Sequence, residues 1–242
     1  MTPAVAQSLR WMADGHLYFL AQLAHNNDQH LHGPSRLPGW SGRHLLSHLG
    51  HNAAALRRLV HWAMTGEATP MYASPQARVE EIEAGALLPA ARLRAFAEKE
   101  QCRLADSLAQ LTDAMWRAQV VTAQGRTIPA SAIPWLRARE VWVHACDLPV
   151  GGDFANFPGD FVDALLQDAL TRRRDAHNIE VAVRPTDRVE SSATGALIGE
   201  QATGSSVCGP TADLARWLTG RGASPGLATS DDVPLPVLPA WL

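Results

Sequence analysis

Lysine is almost missing from this sequence. Lys99 is the only one, so arginine supplies every other basic side chain among the 21 Lys and Arg residues. Guanidinium grips carboxylates through paired hydrogen bonds, which suits recognition of acids. Cysteine is scarce as well: Cys102, Cys146 and Cys208 are far apart, odd in number and make no CxxC pair. That excludes a disulfide framework and points to a reducing compartment. No run reaches the roughly 18 apolar residues that a membrane span needs. Asp14, Gly15 and His16 interrupt the one N-terminal candidate, so no signal peptide is expected and the expected location is the cytoplasm. Excess positive charge is absent too. A net charge of −3 and a pI near 6.3 argue against a nucleic-acid or anionic-membrane partner.

What remains is an ordinary globular composition, 46% hydrophobic and 19% charged over 242 residues, enough for two domains. Helical periodicity runs over residues 3–30, with Val5, Leu9, Met12, Leu17, Leu20 and Leu23 as an apolar stripe. After the turn-rich GPSRLPGW (33–40), Ser41 is a natural N-cap for a second helix to about Thr65. A third helix is expected from about Gln76, more firmly after Pro89, to about Trp116. A loop or short extended piece (117–130) follows, then a fourth helix from near Ser131. Four long helices with short connections read as a bundle. The character changes after Gly151 and Gly152. A helix over about 158–176, short strands at 179–183, 196–199 and 205–209, and a helix 211–220 closing on Gly220 suggest a small α/β unit. The expected class is therefore α+β, with a bundle in residues 1–152 and a smaller domain in 153–242.

Three of the ten histidines lie on the second helix: His44, His48 and His51, spaced i, i+4, i+7 on one stripe. The fourth helix carries Glu140 and His144, again four apart. With one imidazole from a facing helix, this pair makes a three-ligand set that leaves a coordination position open. An i, i+4 Glu/His pair is also an ordinary surface interaction. Here, however, it sits among Val141, Trp142, Val143 and Leu148, where an unpartnered carboxylate would be costly. Spacing alone leaves open which of the three histidines completes the set. Asp147, three residues past His144, either orients a ligand or ends the helix. Arg221 follows Gly220 at a helix end, where the dipole favours a cation in any case. Gln124 and Arg126 line the site mouth or simply form a loop, and Cys146 reads as a small core residue.

The run GWSGRHLLSHLG (39–50) resembles the second-helix signature of DinB-like mycothiol-dependent enzymes. TGEATPMYASPQAR (65–78), TAQGRTIPASAIPWLRAREVWVHACDL (122–148) and LTGRG (218–222) resemble more specifically the mycothiol-dependent maleylpyruvate isomerase family. The resemblance covers nearly the whole chain. It implies a DinB-type four-helix domain, zinc on His48, Glu140 and His144, and functional arginines at Arg221 and Arg78. It leaves His44 and His51 as surplus histidines that could compete for the ion, expected either to support the ligands from behind or to be structural. It also implies the chemistry: a low-molecular-weight thiol, mycothiol in this family, adds reversibly to a cis enone dicarboxylate so that rotation returns the trans isomer. Small-molecule partners and a monomer are expected. Competing readings are a thiol S-transferase of the same fold, a zinc hydrolase, and a binding module with a structural metal.

Overall fold

Thr2 starts the first helix, α1 (Pro3–Ala24), its hydroxyl accepting from the Val5 N–H while Pro3 fills the first turn. The structure, a computed structural model, describes residues 2–188, 206–231 and 233–239. Instead of running to residue 30, α1 stops at His25, because Asn27 opens a separate helix α2 (Asp28–His32) through a capping box with His30. The buried face of α1 is Val5, Met12, Gly15, Phe19 and Leu23. Leu17, expected on that stripe, is 65% exposed. It lies about 140° round the helix from Met12, whereas Phe19 returns to the Met12 side.

Ser41 caps α3 (Gly42–Thr65), and Gly66, at φ 77°, ends it in the left-handed conformation. This central helix packs on α4 (Pro75–Ala86), α5 (Ala90–Ala109) and α7 (Ile133–Asp147), while α1 runs along α7. Two glycines permit the close approaches. A Cβ at Gly50 would lie 2.3 Å from the Phe96 ring of α5, and one at Gly15 would lie 2.5 Å from the Trp142 ring of α7. The single helix expected over 76–116 is three helices: α4, α5 and α6 (Asp113–Trp116). Pro89, which lacks an N–H, restarts the chain as α5, and the Thr112 hydroxyl caps α6 at the Met115 N–H. Strands β1 (Gln119–Val121) and β2 (Thr127–Pro129) form an antiparallel hairpin with Val120 opposite Ile128. A short 3-10 turn, Ala130–Ala132, leads into α7.

These elements form one compact unit, Met1–Gly152; Asp153–Leu242 forms a second. The second holds α8 (Gly159–His177), β3 (Ala182–Pro185), β4 (Ser206–Gly209), α9 (Thr211–Leu218) and β5 (Ala228–Thr229). Central β4 pairs parallel with β3 and antiparallel with β5. The strand expected at 179–183 starts later, at Ala182, because its first residues close α8. Asn178 is left-handed (φ 52°) and the Ile179 N–H donates to Arg173 O at 3.1 Å. The strand expected at 196–199 lies outside the described residues. Arg173, fully buried, binds Leu218 O through Nε (3.0 Å) and Nη2 (2.8 Å), and Pro239 O through Nη1 (2.6 Å). It thereby ties the end of α9 and the tail to α8. The chain is thus α+β: a helical bundle followed by a small α/β unit. Among the described residues, no helix is long and apolar enough to cross a membrane.

Candidate metal centre

Where α3 meets α7, the fold brings three chemistry-bearing side chains together. His48 Nε2 lies 2.9 Å from Glu140 Oε2, and His144 Nε2 lies 3.3 Å from the same oxygen. One ligand atom from each of the three lies within 4.8 Å of the others, and among the described residues no other group of His, Cys, Asp and Glu does this. The imidazoles stand nearly perpendicular, at 85°, with centroids 5.0 Å apart. Side-chain exposure is only 6% for His48, 13% for Glu140 and 10% for His144. Periodicity explains the α7 half, since i, i+4 residues share a face. Leu45, Leu46 and Leu49 seat α3 in the core, so His48 turns inward with them.

Burial pushes the His48 pKa down to about 4, overcoming the attraction of Glu140, so this imidazole is neutral at physiological pH. Burial would raise Glu140, but hydrogen bonds from His144 and His48 hold its carboxyl well below the usual range, and it is ionised. Burial would lower His144; its hydrogen bonds to Asp147 and Glu140 outweigh that and raise it. His144 Nδ1 meets Asp147 Oδ2 at 2.8 Å, and Asp147 is 1% exposed. The aspartate therefore holds the ring so that Nε2 faces Glu140, the arrangement by which carboxylates orient metal-binding histidines.

The two other histidines of the stripe are engaged elsewhere. His44 completes the Ser41 capping box and pairs with Glu83 at 3.2 Å. His51 pairs with Glu81 at 3.3 Å and rests on Phe96. Both carboxylates come from α4, which covers that side of α3. Packing thus turns His48, and not His44 or His51, toward Glu140. Of the other expected site residues, Arg78 on α4 does approach, with Nη2 3.5 Å from His48 Nδ1. Gln124 and Arg126 are exposed in the β1–β2 turn. Cys146 is buried at 4% exposure, as a small core residue. Arg221 lies in the second unit, half-buried, donating from Nη1 to Thr219 O at 2.6 Å.

The donor set suits a divalent ion of the zinc type: two imidazoles and one carboxylate, with a fourth position open. The residues fit on two counts. His48 is neutral and Glu140 ionised, the charge states that ligands need, and Asp147 backs His144 from outside. An ion held here would have to displace the proton on His144, so its affinity would rise with pH through the range where that proton is held.

Two residues beside this site escape sequence reasoning. Tyr72, in the loop before α4, is 9% exposed, and the charges of Arg78 and Glu140 act on it. Arg137, one turn before Glu140, is 2% exposed and binds Gln101, Leu49 O and Asn52. Tyr72 has no periodic signal, and only the tertiary fold brings it to the trio; Arg137 shares the face of Glu140 and His144 at i, i+3, i+7, the spacing that could have found it.

With this geometry in hand, kinship decides the family. The family described as "Mycothiol maleylpyruvate isomerase N-terminal domain" matches residues 13–149, and that described as "MDMPI C-terminal domain" matches residues 156–240. The chain belongs to the mycothiol-dependent maleylpyruvate isomerase family. Among solved structures it is similar to a mycothiol-dependent maleylpyruvate isomerase at 33% identity and a TM-score of 0.88, covering 100% of both chains. A histidine-to-alanine mutant of a mycothiol-dependent maleylpyruvate isomerase is similar at 32% identity and a TM-score of 0.87, again over 100% of both chains. No curated protein matches the chain. Family membership therefore extends through both units, and the trio lies within the N-terminal match.

Proposed function

We propose that this chain catalyses the thiol-dependent cis–trans isomerisation of maleylpyruvate to fumarylpyruvate, with mycothiol as the thiol and zinc held by His48, Glu140 and His144. The observation that carries the reading is likeness over 100% of the chain, at 33% identity, to a mycothiol-dependent maleylpyruvate isomerase. The buried trio, whose ligand atoms lie within 4.8 Å of one another, supports it with a suitable donor set.

Rotation about a carbon–carbon double bond is slow until the bond becomes single, and reversible addition of sulfur achieves that. A divalent ion in the trio would supply the nucleophile, by lowering the pKa of a thiol so that sulfur is anionic near neutral pH. The chain's own residues do the rest. Ionised Glu140 offers its lone pairs without first losing a proton, and neutral His48 would turn a lone pair to the ion by giving up the Nε2 proton it shares with Glu140. Asp147 fixes His144 by its Nδ1. Arg78 is the cation beside the site, 3.5 Å from His48, and we assign it one substrate carboxylate. We assign the other to Arg221 on the family resemblance. A carboxylate held at Arg78 limits the orientations in which the substrate presents its alkene. We further propose that the protein works as a cytoplasmic monomer on a small dicarboxylate.

The test is an isomerisation assay on maleylpyruvate with mycothiol, glutathione and cysteine in parallel, with and without a chelator. The reading expects turnover with mycothiol, no net consumption of thiol, and loss of activity on chelation. Stoichiometric consumption of thiol would mark an S-transferase instead, and turnover without thiol would mark a hydrolase.

A further inference from the structure

We propose that Tyr72 is a catalytic residue, its hydroxyl donating a hydrogen bond to the substrate oxygen on which negative charge develops as sulfur adds. The proposal rests on the isomerase reading above. The loop carrying Tyr72 is pinned from two sides. Arg58 Nη1 donates to Met71 O, and the Ala123 N–H of the β1–β2 turn lies 3.2 Å from Met71 Sδ. Tyr72 itself is 9% exposed. Buried tyrosine hydroxyls ordinarily find a partner. Here Arg78 supplies a hydrogen bond to the phenolic oxygen, and among the described residues no acceptor takes the O–H proton. That proton is left for a ligand.

The neighbours of Tyr72 belong to the metal site. Arg78, its partner, reaches to 3.5 Å from His48 Nδ1. Charged neighbours of Tyr72 include Glu140 and, one turn earlier on α7, Arg137. The other polar groups of the site are occupied. His48 Nε2, His144 Nε2 and Glu140 form the trio, and His144 Nδ1 is held by Asp147. Arg78 is assigned to a carboxylate. Tyr72 is the neutral donor that remains. Burial pushes its pKa up to about 12, so it keeps its proton throughout the working range.

The step balances without further reactants. Thiolate sulfur bonds to the alkene carbon β to the ketone, and the π pair moves through the conjugated carbonyl onto oxygen. Tyr72 shares its proton with that oxygen and keeps it. After rotation about the new single bond, the enolate pair re-forms the alkene and expels the thiolate. Removing one such donor elsewhere costs on the order of 100-fold or more in kcat.

The test compares wild type with Tyr72→Phe on maleylpyruvate and mycothiol, alongside zinc content and thermal stability. We expect kcat to fall about 100-fold while KM stays within about threefold and zinc content holds. A rise in KM at nearly unchanged kcat would mean that Tyr72 only positions Arg78, and unchanged kinetics would remove any role; either overturns the proposal. Because the chain has only two tyrosines, 3-fluorotyrosine in a Tyr18→Phe background labels Tyr72 alone and preserves packing if Tyr72→Phe folds poorly. The fluorinated phenol keeps its O–H, so kcat should stay within about tenfold of wild type, and a loss as large as that expected of Tyr72→Phe counts against the proposal. Wild type that is inert on maleylpyruvate with mycothiol would refute the isomerase reading itself, a result distinct from an active enzyme indifferent to Tyr72.

Discussion

Arg137 is a buried charge with no carboxylate in direct contact among the described residues, and its removal has a calculable effect. Nε donates to Gln101 Oε1 at 2.8 Å, and Nη1 to Leu49 O at 3.0 Å and Asn52 Oδ1 at 2.9 Å. Burial lowers its pKa from the usual guanidinium range to about 10. A shift of that size corresponds to about 3 kcal/mol lost in taking the charge out of water. Three hydrogen bonds from a charged donor, each on the order of 1.5–3 kcal/mol, more than offset it. Arg137→Met removes both terms. It also leaves the Gln101 and Asn52 carbonyls buried without their donor, at about 1–3 kcal/mol each, while Leu49 O keeps its helical partner. We expect a net loss of about 2–5 kcal/mol, read in urea unfolding as a midpoint lowered by about 1 M at unchanged slope. The triple variant Arg137→Met, Gln101→Leu, Asn52→Leu leaves no orphaned acceptor and should recover most of the loss. A single variant as stable as wild type, or a triple variant weaker than the single, would refute this reasoning.

Asp147→Asn keeps the shape but loses the charge behind His144, so zinc affinity in chelator competition should drop about 10- to 100-fold; undiminished affinity would mean that Asp147 does not orient the ring. His16 has its pKa lowered to about 4, first by burial and then by Arg137. The unfolded chain therefore takes up a proton below about pH 6.5 that the folded chain refuses until about pH 4, and stability falls across that window as pH drops. Discounted for its partly open edge, the contribution is about 1–2 kcal/mol. His16→Gln should flatten the curve between those limits relative to wild type, and parallel curves would show that His16 does not report there.

Much of the frame was legible because it is local. Ser41 as a cap, Gly220 as the residue that turns the chain after α9, and the i, i+4 pair Glu140/His144 are set by residues a few positions apart. What escaped was decided by distant neighbours. Whether His44, His48 or His51 turns to Glu140 depends on α4, whose Glu83 and Glu81 take the outer two. Leu17 reads as core in a loose stripe, yet the face of α1 is chosen by Trp142 seated over Gly15. The long helix through 76–116 divides because Pro89 and Thr112 make new starts that composition in Ala, Leu, Arg and Glu conceals. Tyr72 carries no spacing signal, since it meets the trio only through a loop. Arg137 does, three residues before Glu140 on α7, but its partners Gln101, Leu49 and Asn52 lie on other helices.

Bound zinc per chain, measured in purified wild type and in four single variants, tests the central claim most directly. The account predicts a single ion in wild type, full retention in His44→Ala and His51→Ala, and loss in His48→Ala and His144→Ala with each variant still folded. Full zinc content in His48→Ala, or its loss in His44→Ala, would contradict it.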